Sequence, residues 1–409
     1  MARLLVDTTP LRTSKNFRLL FLGQLVSLLG SNLTLVAVAY QVYQLTGSSL
    51  WVGLVSFIQL PLLILGSLWG GALGDRFDRR SLLIGASFFL GLLSCVLGAN
   101  ALDHHGSLVV LIIVPALSAG LSGVSGPLRT ATIPMLVKPE ELVAAYSLNQ
   151  IIVNTATVVG PGVAGVLVAT VGLSSCYFID GVSFFALVFA TLLMAPMKPV
   201  GQHSGAKILR SIAEGFSYVR SHAVVQAVYL VDLNAMVFGL PRALFPAVTK
   251  HLYHGGPEIL GLLYAAPGAG ALLMAIFTGW MDRVSRRGRL VILVVLVWGL
   301  VMALFGLVHV LWVGLICLAV AGATDVISTV LRNTILQTSI TDEYRSRASA
   351  IQMAVVTGGP RLGDLESGAV ASFTSTEFSI VSGGIMCIVG VLALVRWRPT
   401  FWKERSLTP

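Results

Sequence analysis

Apolar residues run along this chain in twelve long continuous blocks, near 18–44, 51–74, 81–101, 108–136, 145–172, 175–195, 223–248, 257–280, 289–308, 311–337, 346–372 and 378–396. Each is about as long as the roughly 20 residues a helix needs to cross a bilayer. The runs are continuous rather than alternating, which predicts helices and excludes a membrane barrel; in lipid each segment must satisfy its own backbone donors. The expected fold class is therefore all-α: a membrane protein of 12 transmembrane helices in two pseudo-symmetric six-helix bundles.

The symmetry is written in the polar interruptions. Gly71, Asp75, Arg76, Arg79 and Arg80 break the chain after the second run, and Asp282, Arg283, Arg286 and Arg287 break it after the eighth. Asp75, Arg76, Arg79 and Arg80 map onto Asp282, Arg283, Arg286 and Arg287 at one spacing of 207 residues. Leu128 and Arg129 recur as Leu331 and Arg332 at a spacing of 203 residues. The halves are expected at 1–196 and 223–409, joined by a cytoplasmic linker over 197–222. That linker carries Ile208, Ile212, Phe216 and Val219 at helical spacing, an amphipathic helix suited to the inner membrane surface.

A chain with two such basic turns resembles the major facilitator superfamily of secondary transporters, whose G-x-x-x-D-R-x-G-R-R motif joins helices 2 and 3. Asp78 stands where that motif has glycine. The run Gly160-Pro161-Gly162-Val163-Ala164-Gly165 is similar to the antiporter motif G-P-x-x-G-G, found in exporters more than importers; plain tight packing around a kink is the other reading. The segments 261–270 and 334–338, followed by Gly363-Asp364, resemble the siderophore-exporting and drug-efflux branch. The resemblance implies export of a bulky organic or amphipathic molecule, a siderophore or drug, by proton antiport with alternating access. It also implies that helices 1, 4, 7 and 10 line a central cavity.

Composition agrees with the membrane reading: 56% of residues are hydrophobic and 11% charged, against roughly 25% charged in soluble domains, and mean hydropathy is +0.86. The net charge of +9 lies mostly in alternate loops: before the first run, in the two basic turns, in the linker and at the end. Such a distribution is the positive-inside signature, placing both termini in the cytoplasm of a cell (inner) membrane protein, and it is no footprint for nucleic acid. The first run is too long for a cleavable signal and is expected to serve as its own uncleaved one. Cys95, Cys176, Cys317 and Cys387 each sit alone, and His104 and His105 are neighbours without further ligand spacing, so no metal and no cofactor is expected. No nucleotide loop and no nucleophile with its base is visible, so an enzyme is not expected. The expected partners are a small-molecule substrate, protons and membrane lipid, with the chain acting as a monomer.

Charges inside spans are costly and functional by default. Arg361, Asp364 and Glu366 lie in run 11, Asp232 in run 7 and Asp325 in run 10, and these five are the candidate proton-coupling residues. Arg361 and Asp364 are three residues apart on one helical face and can pair, either as a fixed structural pair or as a carboxylate whose partner changes during transport. Glu366 points elsewhere. On the resemblance, Gln24, Asn32, Asp232, Asn234 and Asp325 line the substrate cavity, while the basic turns and Gly160, Pro161 and Gly165 serve conformational change. Arg129 and Arg332 are expected to snorkel to phosphates or to cap carbonyls, and Asp180 to lie at the membrane interface. The alternative function is a facilitator or importer of a small metabolite. It fits less well, because the spans are mostly Leu, Val, Ala and Gly and offer few converging polar groups.

Overall fold

The computed structural model describes residues 7–103, 106–197 and 218–402, without the side chains of 282–283, 342–343, 345–350 and 400. Twelve long helices carry the fold. They are α1 (Lys15–Thr46), α2 (Ser49–Gly74), α3 (Arg79–Leu102), α4 (Leu108–Leu136), α5 (Leu142–Thr170), α6 (Leu173–Leu192), α7 (Ala223–Phe238), α8 (Pro257–Ile276), α9 (Arg287–Leu307), α10 (Leu311–Ser339), α11 (Asp342–Phe373) and α12 (Thr376–Trp397). No strand occurs among the described residues. Among the described residues eleven spans are long and apolar enough to cross a membrane; α11, with Arg361, Asp364 and Glu366 in its second half, is not one of them.

Two compact units form. One holds residues 1–45, 58–205 and 256–261; the other holds 46–57, 206–255 and 262–409. The first turns of α2 thus belong to the second unit, and the first turns of α8 to the first. The second unit has a core in which Val228, Val231, Ile292, Val295, Leu331, Ile335 and Val391 interlock. Side chains such as Ile113, Phe189, Leu273 and Trp312 stand exposed on helix surfaces, as in a protein solvated by lipid. Of the linker's apolar stripe, Val219 is buried in the second unit's core; Ile208, Ile212 and Phe216, like His104 and His105, lie outside the described residues.

Small residues let backbones meet where lipid supplies no hydrophobic drive. A Cβ added at Gly66 would collide with the Gly120 carbonyl, and one at Gly70 with the Val124 backbone, so α2 and α4 touch main chain to main chain. In the second unit Gly270 meets Ala319 and Gly322 meets Pro267, joining α8 to α10 by the same device. Gly70→Leu is expected to force α2 from α4, costing about 1–3 kcal/mol, and to lower the melting temperature in detergent. An unchanged melting temperature would show that the contact is dispensable.

The span expected as continuous over 223–248 is broken. α7 ends at Phe238 with Gly239 as its cap, and Pro241 lacks the donor and imposes the dihedral that stop a helix. A 3-10 turn (Arg242–Leu244), a helical turn (Phe245–Ala247) and a π turn (Val248–Leu252) complete the span. Trp298 on α9 donates its indole N–H to the freed Gly239 carbonyl at 2.6 Å.

Candidate functional site

The break in α7 builds the first polar site. The Ala243 amide, near the start of the 3-10 turn, is one of the donors that a helical segment leaves without an internal partner. It donates to Asp364 Oδ1 at 3.0 Å, and the Ser56 hydroxyl of α2 donates to Asp364 Oδ2 at 2.6 Å. Asp364 is buried. Gly53, one turn before Ser56, has no Cβ, and one added there would strike the Asp364 carbonyl, so the glycine lets α2 approach α11.

Arg361 does not pair with Asp364, contrary to the spacing argument. Its Nη1 donates to the Thr357 carbonyl one turn back, at 2.8 Å. Helical side chains lean toward the N-terminus, so an arginine placed N-terminal to its acid reaches away from it. The Asp364 oxygens are meanwhile held by Ser56 and Ala243. Glu366 is half-buried on the same helix.

A second site is centred on Arg332, which is buried at 4% exposure rather than snorkelling. It forms an ion pair with Asp232 of α7. Its Nη2 donates to Thr329 Oγ1 at 3.0 Å and lies 3.9 Å from Asp325 Oδ1. Asp325, Thr329 and Arg332 fall on one face of α10 at four- and three-residue steps. The Asp325 side chain keeps 43% of its surface accessible, whereas that of Asp232 keeps 6%. One arginine thus serves a tight inner carboxylate and a looser, accessible one. Asn234 does not join them. Its amide donates to the Cys387 carbonyl of α12 at 2.9 Å, because a residue two positions from Asp232 points to the other side of the helix.

In the first unit, Gln24 is buried and Asn32 is half-buried. The Asn32 amide donates to Leu28 of its own helix at 2.8 Å, and its Cβ packs on Gly160. Gly165 packs against Pro257 and Gly261 at the start of α8, so the glycine-proline run of α5 is a backbone-contact surface. Asp180 is packed inside the first unit: it is 2% exposed, and Thr34 of α1 and Ser94 of α3 each donate to its Oδ2 at 2.7 Å, while Oδ1 has no hydrogen-bond partner among the described residues.

The first basic turn is a clamp. Arg79 Nη1 donates to the Ala131 carbonyl near the end of α4 at 2.7 Å. Arg80 donates to Thr191 and Leu192 at the end of α6, at 3.1 and 2.5 Å. Cations on C-terminal carbonyls gain from charge-assisted bonding and from the helix dipole. Asp78, where the superfamily motif has glycine, caps α3 by accepting from the Arg80 amide at 3.2 Å and also accepts from the Met197 amide at 2.7 Å. The Asp78 φ of −60° needs no glycine. Asp75 and Arg76 join the turn through backbone bonds to Gly71 and Leu73. In the second turn Arg286 is exposed and Arg287 half-buried, and the side chains of Asp282 and Arg283 are outside the description. Arg80→Ala is expected to change the ratio of conformers reported by spin labels across the two mouths more than Asp75→Ala does. Equal effects would show that the carbonyl contacts do not set the balance.

Broken and glycine-packed spans, buried carboxylates and basic turns define a membrane transporter of the major facilitator type rather than an enzyme. The family model for transmembrane secretion effectors matches residues 7–409, and the chain belongs to that family. Curated relatives include the enterobactin exporter EntS of Shigella boydii serotype 18 (strain CDC 3083-94 / BS512), 29% identical over 392 residues, 96% of this chain and 94% of that one. EntS of Escherichia coli O81 (strain ED1a) is 28% identical over the same share. Among solved structures, an inward-facing bacterial homologue of the human lysosomal transporter Spinster matches with a TM-score of 0.75 at 14% identity, covering 98% of this chain and 100% of that one. A D-xylose–proton symporter matches with a TM-score of 0.70 at 16% identity, covering 97% and 99%. These last two likenesses show the fold.

Proposed function

We propose that this protein exports a siderophore or a similar bulky, amphipathic organic molecule across the cytoplasmic membrane, by proton antiport with alternating access, both termini being cytoplasmic. The likeness to enterobactin exporters along almost the whole chain supports cargo and direction. The setting of Asp364 carries the coupling.

Asp364 accepts two hydrogen bonds from neutral donors and makes no ion pair with a described residue, so protonating it breaks none. A protonated Oδ2 can donate to the Ser56 hydroxyl, which then accepts, while Oδ1 keeps the Ala243 amide. Both protonation states leave the buried groups satisfied. Ser56 lies on the first turns of α2, grouped with the second unit, whereas the rest of α2 belongs to the first. A movement of α2 away from α11 would break the Ser56 bond and strip the carboxylate of one donor. Proton occupancy and conformation are coupled at that bond.

Energised everted vesicles with a siderophore added outside test the reading. Uptake is expected, and a protonophore should abolish it. Uptake that survives full collapse of the proton gradient would remove antiport and leave export standing.

A further inference from the structure

The internal repeat sets Arg129 of α4 opposite Arg332 of α10, and at the same spacing of 203 residues it sets Ser122 opposite Asp325. In the second unit the arginine holds two carboxylates. The first unit keeps the arginine and has lost the acid. Arg129 is half-buried and makes no ion pair with a described carboxylate. Asp180, a buried in-span acid of that unit, is engaged by Thr34 and Ser94 on other helices.

The face of α4 that carries Arg129 also carries the exposed Ser122 and Gly126. Ser122 is about two turns away on the same side of α4 and is exposed. A Cβ added at Gly126, between them, would meet nothing within 4 Å. Ile113, a residue of the lipid-exposed side at 51% exposure, lies about 160° around the helix from Arg129 at 3.6 residues per turn. A guanidinium with no ion pair to a described carboxylate, on a face that also carries the exposed Ser122, can take an anion, and its planar fork suits a carboxylate.

We propose that Arg129 receives an acidic group of the transported molecule, making the cargo an organic anion, with Ser122 left uncharged so that the arginine stays available. The inference rests on the export reading for its biological sense but not for its test. In phosphatidylcholine nanodiscs without any gradient, equilibrium binding of 2,3-dihydroxybenzoate is compared with that of its neutral amide. Wild type is expected to favour the anion by about tenfold or more, the scale of one charged hydrogen-bonded contact. Arg129→Gln should erase that preference while keeping amide affinity, and Arg129→Lys should retain part of it. Ser122→Asp should erase it too, by restoring the internal partner that Arg332 has. An unchanged preference in Arg129→Gln, no preference in wild type, or no binding of either probe overturns the proposal. So does an anion affinity that falls in step with added phosphatidylglycerol, which would identify a lipid phosphate as the occupant. If the preference holds as expected but energised vesicles transport no siderophore, the export reading fails and the anion site stands.

Discussion

Asp364→Asn is expected to abolish gradient-driven export, with a loss of about a hundredfold, the lower end for removing a positioned proton-transfer group. Substrate binding and passive exchange should survive. Asparagine keeps the shape: its carbonyl oxygen can accept from the Ala243 amide, as Asp364 Oδ1 does at 3.0 Å, and its NH2 can donate to the Ser56 hydroxyl. It therefore imitates the protonated acid without exchanging a proton. Ser56→Ala is expected to weaken coupling less, since one donor remains. Glu366→Gln, on a half-buried side chain of the same helix, should leave export within about twofold, on the scale of a surface change. The measurement is uptake by everted vesicles under an imposed pH gradient, beside counterflow without one. Wild-type gradient-driven rates in Asp364→Asn would move the coupling role to Asp232 and Asp325.

The helices and the repeat were legible because bilayer thickness imposes a length and the basic turns recur at fixed spacing. Nothing local hides them: α3 follows Asp78 and ends at Leu102, within two residues of the apolar run. Partner choice was not legible. Helical spacing says that Arg361 and Asp364 share a face, but the orientation of the arginine and the competing donors on α2 and after α7 decide the contact. Asp180 lies two turns into α6, close enough to a helix end to read as interfacial. Only the packing of α1 and α3 against it reveals Thr34 and Ser94 as donors. The resemblance puts Asn234 in the cavity with Asp232, yet residues two apart on a helix lie on nearly opposite faces, and the spacing itself separates them. The break in α7 was also readable, from Gly239 and Pro241, although the hydropathy of the segment runs through it. The place of Arg332 near the end of its span points to the membrane surface; the in-span acids Asp232 and Asp325 on α7 and α10 are the stronger clue.

The largest stability effect is expected at that arginine. Arg332→Gln removes the cation that neutralises Asp232, whose side chain is only 6% exposed. Breaking a buried pair by deleting one partner costs about 3–5 kcal/mol, because the remaining charge has neither water nor a counterion. The variant is expected to express poorly and to lose substantial melting temperature in detergent. Asp232→Asn in the Arg332→Gln background should recover most of the loss, since two neutral amides can hydrogen-bond where two ions did. Asp325→Asn alone should cost far less, because its carboxylate stands 3.9 Å from the guanidinium and keeps 43% of its side-chain surface accessible. The double variant separates fold from function. Restored stability with lost transport would assign the Asp232–Arg332 pair a part in the transport cycle, and restored stability with normal transport would make it a helix tie between α7 and α10. A single Arg332→Gln variant as stable as wild type would show that Asp232 has another way to shed its charge in the folded protein.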